Sequence, residues 1–188
     1  MKKNKKRSSI KSNNSRRSFL KLALGGTVSA SALYLGLTKD LYAAPSGPIV
    51  IGHQCELTGG FSSWGYWHDK CAKAAVKIIN DGGGIAGRKV KLAIEDTESN
   101  PAAGSRKLRS LIERRKASFV VGSVHSGIML ASIPIATELK TPYFSAGEAT
   151  EATGSKGSRY SFRTGTDTYA LAAAGAPWAF KNLGKTWT

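Results

Sequence analysis

Short apolar runs rich in β-branched residues alternate along this chain with longer stretches in which apolar positions recur every three to four residues. Ile49-Val50-Ile51-Gly52 is the first such run, bounded by Pro48 and by polar turn residues, and it predicts a strand. A helix is expected from about Gly65 to Asn80. Trp67, Cys71, Ala74, Ala75, Ile78 and Ile79 recur there at helical spacing, with Lys70, Lys73 and Lys77 on the other side. Asp81-Gly82-Gly83-Gly84 ends it. Lys89-Val90-Lys91-Leu92-Ala93-Ile94 alternates as a strand should, and Glu95 and Asp96 mark its carboxyl end.

The same unit then repeats. Asn100-Pro101 is a cap followed by a first-turn proline, opening a helix with Leu108, Leu111 and Ile112 on one face. Residues 118–121 read as the third strand, 126–139 as the third helix and 142–145 as the fourth strand. Pro134 is expected to kink or split that third helix. Residues 160–163 give a fifth strand, and 171–183 a last helix interrupted by Pro177. This alternation predicts an α/β fold with a doubly wound parallel sheet. Ligands of such sheets bind beyond the carboxyl ends of the strands.

Charge modifies this picture mainly at the amino terminus. The 188 residues carry a formal charge of +16, but residues 1–43 alone hold ten basic side chains against one acidic. That leaves the rest much less basic and weakens a nucleic-acid reading, which needs Lys and Arg clustered on the folded part. The first 43 residues have the order of an export leader: basic residues up to Arg7, then Ser15-Arg16-Arg17-Ser18-Phe19-Leu20-Lys21, then an apolar run over 22–37. That run is shorter than the ~20 residues a membrane-spanning helix needs. The Arg16-Arg17 string resembles a twin-arginine export signal, implying passage through the twin-arginine translocase to the periplasm, with cleavage expected after Ala43. In that oxidising space Cys55 and Cys71 could form a disulfide contributing about 3 kcal/mol. The alternative is two separate buried thiols.

Three loops follow strands: 58–65, 122–127 and 145–150. Gly122-Ser123-Val124-His125-Ser126-Gly127 leads from a strand into a helix, so hydroxyls and free main-chain N–H groups at a positive helix end could hold a carboxylate. Ser126 could equally be a plain N-cap. Ser145-Ala146-Gly147-Glu148-Ala149-Thr150 offers hydroxyls and close backbone approach. Trp64, placed in a Gly/Ser loop, could wall a ligand's apolar part, whereas core packing is the better reading of Trp67. Enzyme motifs are missing. Residues 82–87 are glycine-rich but follow a helix, the reverse of a nucleotide-binding context, and Ser126 lacks the upstream glycine of a nucleophile elbow. His53, His68 and His125 show no metal-ligand spacing, so neither metal nor cofactor is expected. The basic run from Arg106 to Lys116 reads as the wet face of a helix.

Taken in order, Ile49 to Gly52, Leu57-Thr58-Gly59-Gly60-Phe61-Ser62-Ser63-Trp64-Gly65, Ala74 to Asn80, Gly83 to Val90, Phe119 to Gly122, Pro142 to Ser145 and Phe162 to Thr164 resemble the periplasmic leucine/isoleucine/valine-binding family. These are type I solute-binding proteins of ABC importers, with two α/β lobes on a hinge. The resemblance implies a non-catalytic role: capture of a small polar solute, often an amino acid or amide, for an importer's membrane permease. It implies that Trp64 lines the ligand, that Ser126 holds its carboxylate, and that Gly147, Ala149 and Thr150 complete the grip. A ligand-binding sensory module of a signalling receptor shares the fold and is the alternative. The resemblance also divides the chain into a leader (1–43), an amino-terminal lobe (44–166) and a hinge exit with the first helix of a truncated second lobe (167–188). A fragment of this kind is expected to bind solute weakly or not at all and to expose apolar surface on its last helix.

Overall fold

The computed structural model describes residues 47–183. The expected leader, with Arg16 and Arg17, lies outside the described residues. Five strands, β1 (Ile49–Cys55), β2 (Val90–Asp96), β3 (Phe119–Gly122), β4 (Tyr143–Ser145) and β5 (Ser161–Arg163), form one sheet in the order β2-β1-β3-β4-β5. All neighbouring pairs are parallel. Four helices alternate with them: α1 (Ser62–Asp81), α2 (Pro101–Glu113), α3 (Ser126–Glu138) and α4 (Thr168–Asn182). A short 3-10 turn at Thr150–Ala152 lies between β4 and β5.

The core lies between the sheet and α2 and α3. Leu108 and Leu111 of α2, Met129, Ile133 and Ala136 of α3, Val120 of β3 and Tyr143 of β4 form one buried cluster. The alternation of strand side chains puts Gly52 and Gln54 of β1 on this side. At Gly52 a Cβ would press on Val120, Ala117 and Leu111, so the two layers meet with no room for a side chain. Gln54 is the polar centre of the core: its amide nitrogen donates to the Gly104 carbonyl (2.7 Å) and the Ser132 hydroxyl (3.0 Å), and its oxygen accepts from the Tyr143 hydroxyl (2.6 Å). Burial with complete pairing is what lets such polar groups sit in a core.

Four expectations need correction here. β1 runs to Cys55, three residues beyond Gly52, because Gln54 and Cys55 pair with Glu95 and Asp96 of β2. Helix α1 begins at Ser62, so Trp64 stands in its first turn rather than in a loop. Neither proline breaks its helix: α3 and α4 continue through Pro134 and Pro177, both exposed. A missing N–H leaves one carbonyl per helix without its usual donor, and at an exposed position water can serve it. Finally, α1 buries a face rotated by roughly a third of a turn from the one expected, sharing only Ile79 with it. Its inward residues are Gly65, His68, Asp69, Ala72, Val76 and Ile79, while Trp67 is 65% exposed and Ile78 71% exposed.

The second face of the sheet is thus only partly covered. α1 lies against β1 and β2. Farther along, Phe119, Phe144 and Phe162 of β3, β4 and β5 form a ladder of rings, with centroids 6.0 and 4.9 Å apart, and Phe162 is exposed. Helix α4 has no buried residue, and Tyr169, Leu171, Trp178 and Leu183 are exposed.

Candidate functional site

The loops beyond the carboxyl ends of β1, β3 and β4 meet at one edge. Gly122 ends β3 with φ +128°, and a Cβ there would lie 1.9 Å from the Gln54 carbonyl oxygen, so only glycine lets the chain turn this close to β1. Gly65 is constrained in the same way. A Cβ would approach the Glu56 carbonyl oxygen to 1.8 Å, so the first turn of α1 lies directly on the end of β1. Between them Glu56 is fully buried, its carboxyl group accepting from the Ser123 hydroxyl and from the Val124 N–H (3.4 Å). Asp96 fixes the loop after β1: its carboxylate accepts from the N–H groups of Leu57 and Thr58 and from the Thr58 hydroxyl. Burial pushes its pKa up, but hydrogen bonds from Glu98, Thr58 and Leu57 outweigh this and hold it below the usual value.

Four of the five expected ligand residues converge here. Ser126 begins α3, and its Oγ accepts from the Glu148 N–H at 3.1 Å. Gly147 packs against Ser126, where a Cβ would come within 3.3 Å of the Ser126 Cα and 3.0 Å of the Met129 sulfur. The Gly147 N–H donates to Ser145 Oγ (3.1 Å). Ala149 is held through its carbonyl by Arg163 (3.2 Å), which also pairs with Asp167 (2.9 Å). Thr150 Oγ1 accepts from the Tyr169 N–H (3.1 Å) and lies 3.2 Å from the Thr168 hydroxyl, tying the loop to the start of α4. Trp64 is 67% exposed. It belongs to the same edge because Phe61, three residues earlier, packs its ring on His125 with centroids 4.5 Å apart.

The N-cap of α3 is His125, not Ser126. Its Nδ1 accepts from the N–H groups of Gly127 (3.0 Å) and Ile128 (3.4 Å), which leaves its ring proton on Nε2. Two of the main-chain donors that the sequence left free for an anion are therefore taken. The Ser126 hydroxyl still has its own proton to donate.

A second cluster lies under α1. Cys55 and Cys71 are both free thiols, so the expected bridge is not formed. Cys55 is buried and donates to the Gly65 carbonyl at 3.3 Å. Cys71 is six residues farther along the helix, roughly 9 Å at the α-helical rise, and is exposed. The actual neighbours of Cys55 are histidines, although the His spacing gave no metal motif. The donor atoms of His53, Cys55 and His68 lie within 4.8 Å of one another. The two imidazoles meet edge to face with centroids 4.9 Å apart. Burial, and then the charge of His68, bring the His53 pKa from 6.5 to about 4, against weaker opposing effects of the Val121 main chain and Asp69. Burial also lowers His68, and it pushes the Cys55 thiol up to about 12, with the Glu56, Asp69 and Asp96 charges adding to the rise. The sequence signal for this cluster was the i, i+2 placement of His53 and Cys55, visible only once the strand is known to reach Cys55.

An open groove of about 770 Å³ lies elsewhere. It runs along the outer face of α2 between Glu95, Lys107, Arg109, Arg114 and Arg115, in keeping with a wet helix face. No helix among the described residues is long and apolar enough to cross a membrane.

A parallel sheet with its carboxyl-edge loops gathered beside a helix start is the arrangement in which α/β proteins bind ligands. Residues 48–188 match the family model for periplasmic binding proteins, and the chain belongs to that family. It is 30% identical over 90 residues to the Leu/Ile/Val-binding protein homolog 1 of Brucella abortus, an alignment covering 48% of this chain and 24% of that protein. Homolog 3 of Brucella melitensis is 33% identical over 110 residues, covering 58% and 28%. Among solved structures, the branched-chain amino acid substrate-binding protein LivJ of Streptococcus pneumoniae, in complex with isoleucine, superposes with a TM-score of 0.61 at 29% identity, over 64% of this chain and 34% of that one. The leucine-binding protein LivK of Thermotoga maritima gives 0.62 at 26% identity, over 72% and 37%. These relatives are solute-binding proteins, not enzymes. The matched region spans about a quarter to a third of their length.

Proposed function

We propose that the chain is the amino-terminal lobe of an extracytoplasmic solute-binding protein, which captures a small polar solute such as an amino acid or amide and presents it to the permease of an ABC importer. The observation that carries this reading is that the 147–150 loop packs on Ser126 at the start of α3 through Gly147 and the Glu148 N–H and reaches the start of α4 through Thr150, with Trp64 at the same edge. The Ser126 hydroxyl donates to the solute carboxylate, the 147–150 loop completes the polar grip, and Trp64 covers the apolar part. The names of the relatives, leucine/isoleucine/valine-binding proteins and an isoleucine complex, support an amino-acid-sized ligand. The 167–188 segment reads as the entry to a second lobe, supported by the absence of any buried residue on α4. Since half a cleft supplies half of the polar partners, binding by this chain is weak.

Titration of the chain from Ala44 onward with millimolar amino acids and amides, followed by amide chemical shifts, tests the proposal. Shifts confined to 126–128 and 147–150, and lost in Ser126→Ala, are expected. No response to any member of the panel, or a response centred elsewhere, overturns it. The periplasmic location rests on the family and on the leader. A reporter fused after residue 50 is exported by the twin-arginine route on this reading, and retention of export by the Arg16→Lys, Arg17→Lys double variant contradicts that route.

A further inference from the structure

The cluster under α1 has an arrangement that protein contacts alone do not explain. His53 is completely buried, and neither of its ring nitrogens makes a well-formed hydrogen bond among the described residues, although the Val121 main chain lies close enough to oppose the lowering of its pKa. His68 Nδ1 and Asp69 Oδ1, one helical turn above, are buried and unpaired as well. Unsatisfied buried polar atoms are rare and costly, and the two histidines that carry them, His53 and His68, stand beside each other. The third corner is Cys55, whose thiol donates to the Gly65 carbonyl at 3.3 Å in the metal-free chain. A cation would take one nitrogen of each imidazole together with the Cys55 sulfur. Two imidazoles and a thiolate suit a borderline-soft tetrahedral ion and do not suit magnesium or calcium, which take oxygen ligands.

We infer that His53, Cys55 and His68 form a zinc site that fastens α1 to β1. The three donor atoms lie within 4.8 Å of one another, and small rotamer changes bring them to coordination distance. As the sulfur–zinc bond forms, the Cys55 thiol releases its proton to solvent, and no electrons are transferred. The charge of the ion and thiolate is balanced by Asp69, which is also paired with Lys73 at 2.7 Å. The fourth position falls to water. The site has a structural purpose. Gly65 is the one buried residue of α1, so packing holds the helix weakly, and a metal clamp at its second turn ties it to β1 where no Cys55–Cys71 bridge does. The inference is independent of solute binding.

The experiment loads the chelator-treated chain from Ala44 onward with one equivalent of zinc, and separately with cobalt(II) as a spectroscopic probe. One zinc per chain by elemental analysis, a higher melting temperature than the metal-free chain, and a thiolate-to-cobalt charge-transfer band with intense tetrahedral visible bands are expected. Cys55→Ser abolishes the charge-transfer band, His68→Gln lowers zinc affinity at least tenfold with unchanged far-UV circular dichroism, and Cys71→Ser changes neither. A folded metal-free chain that takes up no zinc or cobalt overturns the inference. So does a band that survives Cys55→Ser or disappears with Cys71→Ser, as does uptake of copper(I) alone.

Discussion

The two faces of the sheet are built from the same kinds of residue and end in different states. Toward α2 and α3, β-strand side chains meet two helices: Val120 and Tyr143 have no exposed surface, and even the polar Gln54 is fully paired. Toward α1, the sheet presents Phe119, Phe144 and Phe162 with no helix of the described residues over them, and α1 itself turns Trp67 and Ile78 outward. The comparison teaches that hydrophobic pattern identifies a surface suited to burial, but the covering element decides whether it is buried. On the closed face the cover is supplied by consecutive crossovers within this segment. On the open face, among the described residues, α1 covers only β1 and β2.

The largest expected effect is on the closed face. Leu111→Ala removes a fully buried side chain from the centre of the cluster and is expected to cost about 2–5 kcal/mol, read from urea denaturation. Tyr143→Phe comes next, since it keeps the ring and strips Gln54 Oε1 of a buried donor; a loss of about 1–3 kcal/mol is expected. At the edge shared by both faces, Asp96 contributes a pH-dependent increment. Its pKa is lower in the folded chain, so this stabilisation is complete above the ordinary value and disappears as pH falls through the folded-state value. Stability measured across the acid range should therefore fall with pH, and Asp96→Asn should flatten that part of the curve. The smallest effects belong to the open face. Trp67→Ser and Phe162→Ser are expected to change stability by no more than about 0.5 kcal/mol while reducing binding of a hydrophobic dye. A destabilisation there approaching that of Leu111→Ala would break the comparison, because it would mean that the open face is covered in solution.

Much of the candidate site was legible in advance. Asn100 caps α2 through a 3.0 Å bond from Ala103, as its place before Pro101 suggested, and the Gly82 to Gly84 run is a turn. Ser126, Gly147 and Thr150 could be assigned to one edge because a parallel sheet sends all its βα loops there. The His125 cap was not legible. Histidine is an uncommon N-cap, and its role depends on a ring orientation fixed by Phe61 from another loop. The buried group of Glu56, Ser123 and Gln54 was missed for a related reason: polar residues at a strand end look like the start of a loop until their partners are known.

By itself, the sequence determined the order and type of the elements, the parallel sheet and the edge where its loops gather, because strand and helix periods and turn residues are local properties of the chain. Only the tertiary structure decided which side of α1 is buried, that Cys55 faces His53 and His68 rather than Cys71, and that one face of the sheet remains open. Each of these depends on how a helix is rotated about its axis and on what packs against it. That rotation is set by close approaches such as Gly65 on Glu56, made between segments whose contact no local pattern encodes.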